Sequence, residues 1–231
     1  MRLHLQTGCA INTPLSAPAL VSAAVVLCSG FLILLIYDLG HLSTHMMLHI
    51  ATMNVVAPSV AVLIAAFYPL ARHFKTTASG LWAASLIQIV AFWAWHAPAV
   101  HDVVTHSFPL TCLTQGTLFI AALTFWLALL TTSANVRWQT IPALLLTGKL
   151  ACLLAALLIF APRTLYASTG HTGHVAALPA AASLDDQHLA GLLMITACPL
   201  SYLVAAVIIT VQLITPRPSP ASAAHQNAPV G

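Results

Sequence analysis

The chain has 231 residues, of which 60% are hydrophobic and only 5% charged, and its mean hydropathy is +0.94. So apolar a composition excludes a water-soluble domain and reads as a polytopic membrane protein, while a scattered net charge of +3 excludes a nucleic-acid binder. Histidine is the anomaly, because 12 of them outnumber the 7 Lys plus Arg and the 4 acids together.

In chain order, residues 1–18 form a polar, Pro-containing leader, and residues 19–37 an apolar run. That run ends in Tyr37-Asp38-Leu39-Gly40 rather than at a small-residue cleavage site, so it reads as an uncleaved first span. Crossing the hydrocarbon takes about 20 residues. Five further runs qualify, at 45–70, 81–95, 110–132, 141–160 and 189–214. The expected architecture is an all-α, six-span membrane bundle over residues 19–214, with a Pro-rich, disordered tail over 215–231. Pro58 and Pro199 fall inside spans and predict kinks, since neighbouring helices can satisfy the freed carbonyls.

Basic residues set the orientation. With six spans, Arg2, Arg72, Lys75, Arg137 and Arg217 fall on one side and only Arg163 on the other, which predicts that both termini are cytoplasmic. His41, His45, His49, His96, His101, His106, His171, His174 and His188 then lie at or near the outer face, as do Asp38, Asp102, Asp185 and Asp186. In a bacterium this is the periplasmic or exterior side of the plasma membrane.

The opening of the second span carries the clearest pattern. His41, His45, His49 and Met53 recur every fourth residue, a rotation of about 400° per step, so they line one slowly drifting helix face with Met46 and Met47 beside it. Imidazole suits copper, zinc, iron or nickel, and a thioether favours cuprous ion. A single histidine at a helix end is ordinarily an interface residue and methionines at helical spacing ordinarily pack, but three histidines in register point to a metal-binding stripe.

Other groups are weaker. Trp93 and Trp95 mark the membrane interface, and His96 beside them is a ligand candidate; His101 and His106 read as solvated loop residues. The His171-Thr-Gly-His174 pair sits in a Gly-rich stretch and reads as loop. Asp186 lies where a carboxylate complements the dipole of the sixth span. Gln187, Gly191, Met194 and Cys198 follow at helical spacing, either extending a polar, sulfur-bearing path inward or simply packing. Lys149 stands near the middle of the fifth span, where a charge is costly and calls for a cavity or a partner. The five cysteines form no Cys-x-x-Cys pair and predict neither a disulfide framework nor a thiolate zinc site.

Taken together, His45-Met-Met-Leu-His49 leading to Ala57-Pro58, Trp95-His96-Ala-Pro98-Ala, Phe125-Trp126 and Asp186-Gln187-His188-Leu-Ala-Gly191-Leu-Leu-Met194 carry a resemblance. In this order, at successive outer helix ends, they resemble the multi-spanning CtaG family of cytochrome oxidase assembly factors, associated with caa(3)-type oxidases. The resemblance runs from about residue 37 to residue 210. It implies a role in delivering copper to the oxidase from the outer side, and matches His45, His49, His96, Asp186 and Gln187. Where the family pattern has histidine and glutamate at the start of the fourth span, this chain has Thr111, Cys112, Thr114 and Gln115, and it has fewer spans than many members.

The resulting expectation is a non-enzymatic copper-handling protein that works with oxidase subunits or other assembly factors, and in which a second copy of the chain is a candidate partner. His45 and His49 bind copper as Cu(I), His96 completes the site, and Met53 or Met46 supplies a soft ligand. His41 and His188 are further ligand candidates. Asp186, Gln187 and Asp102 are expected behind the ligands, with Asp186 orienting an imidazole or Gln187. Two other readings use the same residues: a haem-binding electron-transfer protein with axial histidines, and a metal or proton permease routed through Lys149, Gln187, Met194 and Cys198. A scaffold that merely holds an oxidase subunit would need none of the histidines.

Overall fold

The computed structural model describes residues 40–67, 75–105, 107–166 and 180–215. The leader, the first span at 19–37, the His171/His174 pair, His106, Asp38 and the tail lie outside these residues, as does the side chain of Asp102. Among the described residues the chain is helical, joined by short connections and one isolated bridge between Thr76 and Thr132.

The helices are α1 (His41–Phe67), α2 (Ala78–Trp95), the short α3 (Pro98–Thr105), α4 (Phe108–Thr131), α5 (Thr140–Phe160) and α6 (Ala180–Ile214). Five of them, all but α3, are long and apolar enough to cross a membrane. Sequence and structure agree on these five to within a few residues at each end, apart from α6, which begins nine residues before the predicted sixth span.

Local chemistry fixes several ends. Thr77 caps α2 by accepting from the Gly80 N–H at 3.2 Å, and Pro109 opens α4, where a missing N–H costs nothing. Pro58 acts differently from the expected kink. The helix widens into a π turn over Thr52–Val56, in which the Ala57 N–H reaches back to the Thr52 carbonyl. Pro58 has no N–H to give, and the wide turn leaves the Met53 carbonyl free as well. Trp126 of α4 takes up that carbonyl through its indole N–H at 3.1 Å. The wider turn also offsets the drift of four-residue spacing, so that His49, Met53, Ala57 and Ala61 all stay buried. At Pro199 α6 continues as one helix.

Partners along the helices set the packing. Asp186 meets Leu42 and Ser43, and some eleven to fifteen residues further along each helix Cys198 and Ser201 meet Asn54, so α1 and α6 run parallel. Helices α5 and α6 run antiparallel and pack most extensively, with Gly191 lying where a Cβ would come within 2.8–3.0 Å of Ile159, Ala155 and Leu158. The core holds Phe125, Leu118, Leu144, Leu158 and Met194, with Trp126 stacked on Tyr202 at 5.7 Å. This topology gathers the starts of α1, α4 and α6 and the ends of α2 and α5 at one pole of the bundle.

Candidate metal centre

At that pole four imidazoles meet. His45 and His49 lie one turn apart on α1, with Nε2 atoms 2.8 Å apart and ring centroids 4.4 Å apart, edge to face. His96, the residue that ends α2, comes within 5.1 Å of His49, and His101 on α3 within 5.2 Å of His45. Tyr166, in the connection after α5, packs on His101 at 4.5 Å and donates its hydroxyl to the His96 carbonyl at 2.6 Å.

The tautomer of His96 follows from its surroundings. Its Nδ1 lies 2.6 Å from the Phe92 carbonyl, which can only accept, so Nδ1 carries the proton and Nε2 keeps its lone pair. That Nε2 is buried without a hydrogen-bond partner. Burial pulls the His96 pKa down to about 4, with the Phe92 bond working against the shift and His101 adding to it. The imidazole is therefore neutral at ordinary pH. A ring N–H anchored on a backbone carbonyl with the opposite nitrogen bare is how metal-ligating histidines are held. Burial also pushes the Tyr166 hydroxyl up to about 12, so it stays a donor.

Gln115 of α4 reaches towards His49 without closing a well-formed hydrogen bond, and its two amide atoms and the His49 Nδ1 are buried without partners. Beneath the rings lies a cavity of ≈ 20 Å³, room for one water-sized occupant, lined among others by His49, Met46, Met53, Met194 and Cys198. Three of the four methionines after Met1 thus face one small void, and the donor set above and within it is nitrogen and soft sulfur. In the structure as it stands, no three His, Cys or acidic side chains among the described residues are close enough together to hold one ion.

Sequence reasoning brought His45, His49 and His96 together, with Met46 and Met53 below them. It missed His101, which is only 7% exposed rather than solvated, because α3 folds it back over the site. Its position three residues after Pro98, at the start of a helix, was the available signal. Tyr166 was missed as well, and Gln115 was singled out only as a residue standing where the family pattern has other side chains. His41 is exposed on the first turn of α1, and His188 is half-buried on α6, outside the ring contacts of the cluster. Asp102 lies on α3.

Asp186 and Gln187 do structural work beside the cluster. The Asp186 carboxylate accepts from the Leu42 N–H at 2.8 Å, the Ser43 N–H at 2.9 Å and the Ser43 hydroxyl, capping α1 from another helix. Gly40, with φ +94°, makes room for it, since a Cβ there would collide with the carboxylate. Gln187 accepts from the Leu165 N–H at 2.6 Å and donates to the Leu158 and Arg163 carbonyls, pinning the connection that carries Tyr166. The bonds of Asp186 thus run to backbone and hydroxyl rather than to an imidazole. Lys149 is exposed on the outside of α5 while Met194 and Cys198 line the inner cavity, so the four residues of the permease route do not share one path.

Five membrane-capable helices with a buried histidine cluster at one pole define a multi-pass membrane protein with a polar site sunk into the end of its bundle. Residues 17–215 match the family model of the cytochrome c oxidase caa3 assembly factor, and the chain belongs to that family. No curated protein and no solved structure matches it.

Proposed function

We propose that this assembly factor binds copper, as Cu(I), in the histidine cluster at the outer face of the membrane and passes it to a caa3-type oxidase. His49 and His96 are the primary ligands, His45 and His101 complete the set by small ring rotations, and Met46 or Met53 offers sulfur during entry or release. The observation that carries the reading is the His96 imidazole, tied through Nδ1 to Phe92 with its Nε2 buried and bare. Copper is cargo here. Rings 4.4–5.2 Å apart suit reversible capture better than a permanent site.

The orientation proposed is outward for this pole, with six spans and both termini in the cytoplasm. Lys75 and Arg137 lie at the opposite pole, as the positive-inside rule asks. A bacterial plasma membrane follows from that reading, and the role is transfer rather than catalysis.

Anaerobic Cu(I) competition against a chromophoric chelator tests the proposal in detergent-purified protein. Stoichiometric binding that disappears in the His45→Ala/His49→Ala variant is the expected result. Equal binding by both proteins, or by neither, overturns it.

A further inference from the structure

The feature that the copper site leaves unused is Lys149. It stands on α5 nine residues from Thr140 and eleven from Phe160, about 14 Å and about 17 Å from the two helix ends at 1.5 Å per residue. A four-carbon stem cannot carry its amine to either interface from there. The side chain is exposed, and it interrupts an outward stripe of Leu145, Leu153 and Leu157 at four-residue spacing. Among the described residues no carboxylate pairs with its amine; the Cys152 thiol, beside it in the same cleft, is the group it acts on.

Beside it, α5 and α6 leave a cleft of ≈ 390 Å³, bordered by Gly148, Cys152, Thr196, Pro199 and Leu200. Pro199, which has no N–H of its own, stands at the edge of this cleft within α6. A lipid tail fills such a space but offers nothing to an amine. An intramembrane charge is retained when it meets a partner of opposite sign.

The chain cannot supply that partner from a second copy at the same depth. Of its four acids, Asp185 and Asp186 lie at the start of the last described span and Asp102 on the short α3, and the sequence puts Asp38 just past the expected first span. We infer that the Lys149 cleft is the docking site for a transmembrane helix of a different membrane protein, one carrying an Asp or Glu near the middle of the bilayer. The carboxyl pairs with the Lys149 amine, and the partner helix packs over the cleft along α5 and α6. Membership of an assembly-factor family fits a surface of this kind, but the argument rests on charge and depth and is independent of copper.

A membrane-soluble carbodiimide, applied to native membranes containing the tagged full chain, tests this directly. The reagent activates the partner carboxyl, the Lys149 amine displaces it to form an amide, and the reagent leaves as its urea. The expected product is a Lys149 peptide linked to an Asp or Glu inside an apolar segment of another chain, identified by mass spectrometry and absent from Lys149→Met. The same partner then co-purifies at least ten-fold less with Lys149→Met and at the wild-type level with Lys149→Arg.

Lys149 recovered unlinked, or linked to an acid of its own chain type, overturns the inference. So does undiminished co-purification with Lys149→Met. A lower melting temperature of Lys149→Met in detergent also overturns it, because it means the amine is held within the chain. Copper binding by Lys149→Met stays at the wild-type level, so failure of this inference and failure of the copper proposal register separately.

Discussion

The two poles of the bundle treat their polar groups in opposite ways. At one, the Thr76 N–H bonds the Thr131 carbonyl, the Ser133 N–H bonds the Thr76 carbonyl, and the Thr76 and Thr131 hydroxyls bond each other. Arg137 there donates to Gln212, and the Trp82 indole to Gln139. At the other, His49 Nδ1, His96 Nε2 and both amide atoms of Gln115 are buried without a hydrogen bond. Leaving a buried polar group unsatisfied costs about 1–3 kcal/mol, so native chains rarely do it without a reason. One pole fastens helices together, and the other holds donor capacity that a ligand can use.

The largest effect that tests this contrast is at His96. Because nothing in the chain bonds its Nε2, His96→Ala lowers Cu(I) affinity roughly 100-fold, about 2.7 kcal/mol, on top of about 2 kcal/mol of stability lost with the buried ring and its Nδ1 bond to Phe92. A large loss of melting temperature with copper binding intact would make the histidine pole structural too and end the comparison.

Next comes Asp186, which belongs to the histidine pole but behaves like the fastening one. Asp186→Ala uncaps α1 and costs about 1–2 kcal/mol in thermal unfolding, whereas Asp186→Asn, still a capping side chain, recovers much of it. Weaker copper binding accompanies the Ala variant, because the cap sets the height of His45 and His49. Unchanged stability would show that the clasp to Leu42 and Ser43 contributes nothing.

Substitutions of opposite sign follow. Thr131→Val removes one partner of a hydroxyl pair and costs about 1 kcal/mol, with copper binding unchanged. Gln115→Leu replaces a polar group that has no bond to lose and gains about 1 kcal/mol while weakening copper binding. Chemical or thermal unfolding beside a copper titration separates the two, and equal signs would contradict the contrast.

The smallest effect is on pH. His96 titrates near 4 in the fold and near 6.5 when unfolded. Below 6.5 the unfolded chain takes up a proton that the folded chain refuses, so this contribution to stability is complete above 6.5 and declines as the pH falls towards 4. Nitrogen NMR of labelled histidine is expected to find His96 neutral and protonated at Nδ1 at pH 5. A charged ring at that pH would contradict the buried tautomer.

Much of this was legible without coordinates. Hydropathy alone placed the five described spans, because a helix that crosses lipid must be apolar along its whole length. The four-residue spacing of His45, His49 and Met53 predicted a shared face, since helical geometry is local. The same locality explains the misses. Proline at position 58 announced a disturbance, but its form, a π turn closed by Trp126, depends on a residue 73 positions away in the nearest neighbouring helix.

Sequence by itself determined the class of protein, the helices and the first two imidazoles of the cluster. Tertiary structure alone decided that His101 folds in while His188 stays out, that Asp186 caps a helix 144 residues away from it in sequence, and that Lys149 faces outward. The physical reason is that periodicity fixes which residues share a helix face. Only the packing of one helix on another decides what that face meets.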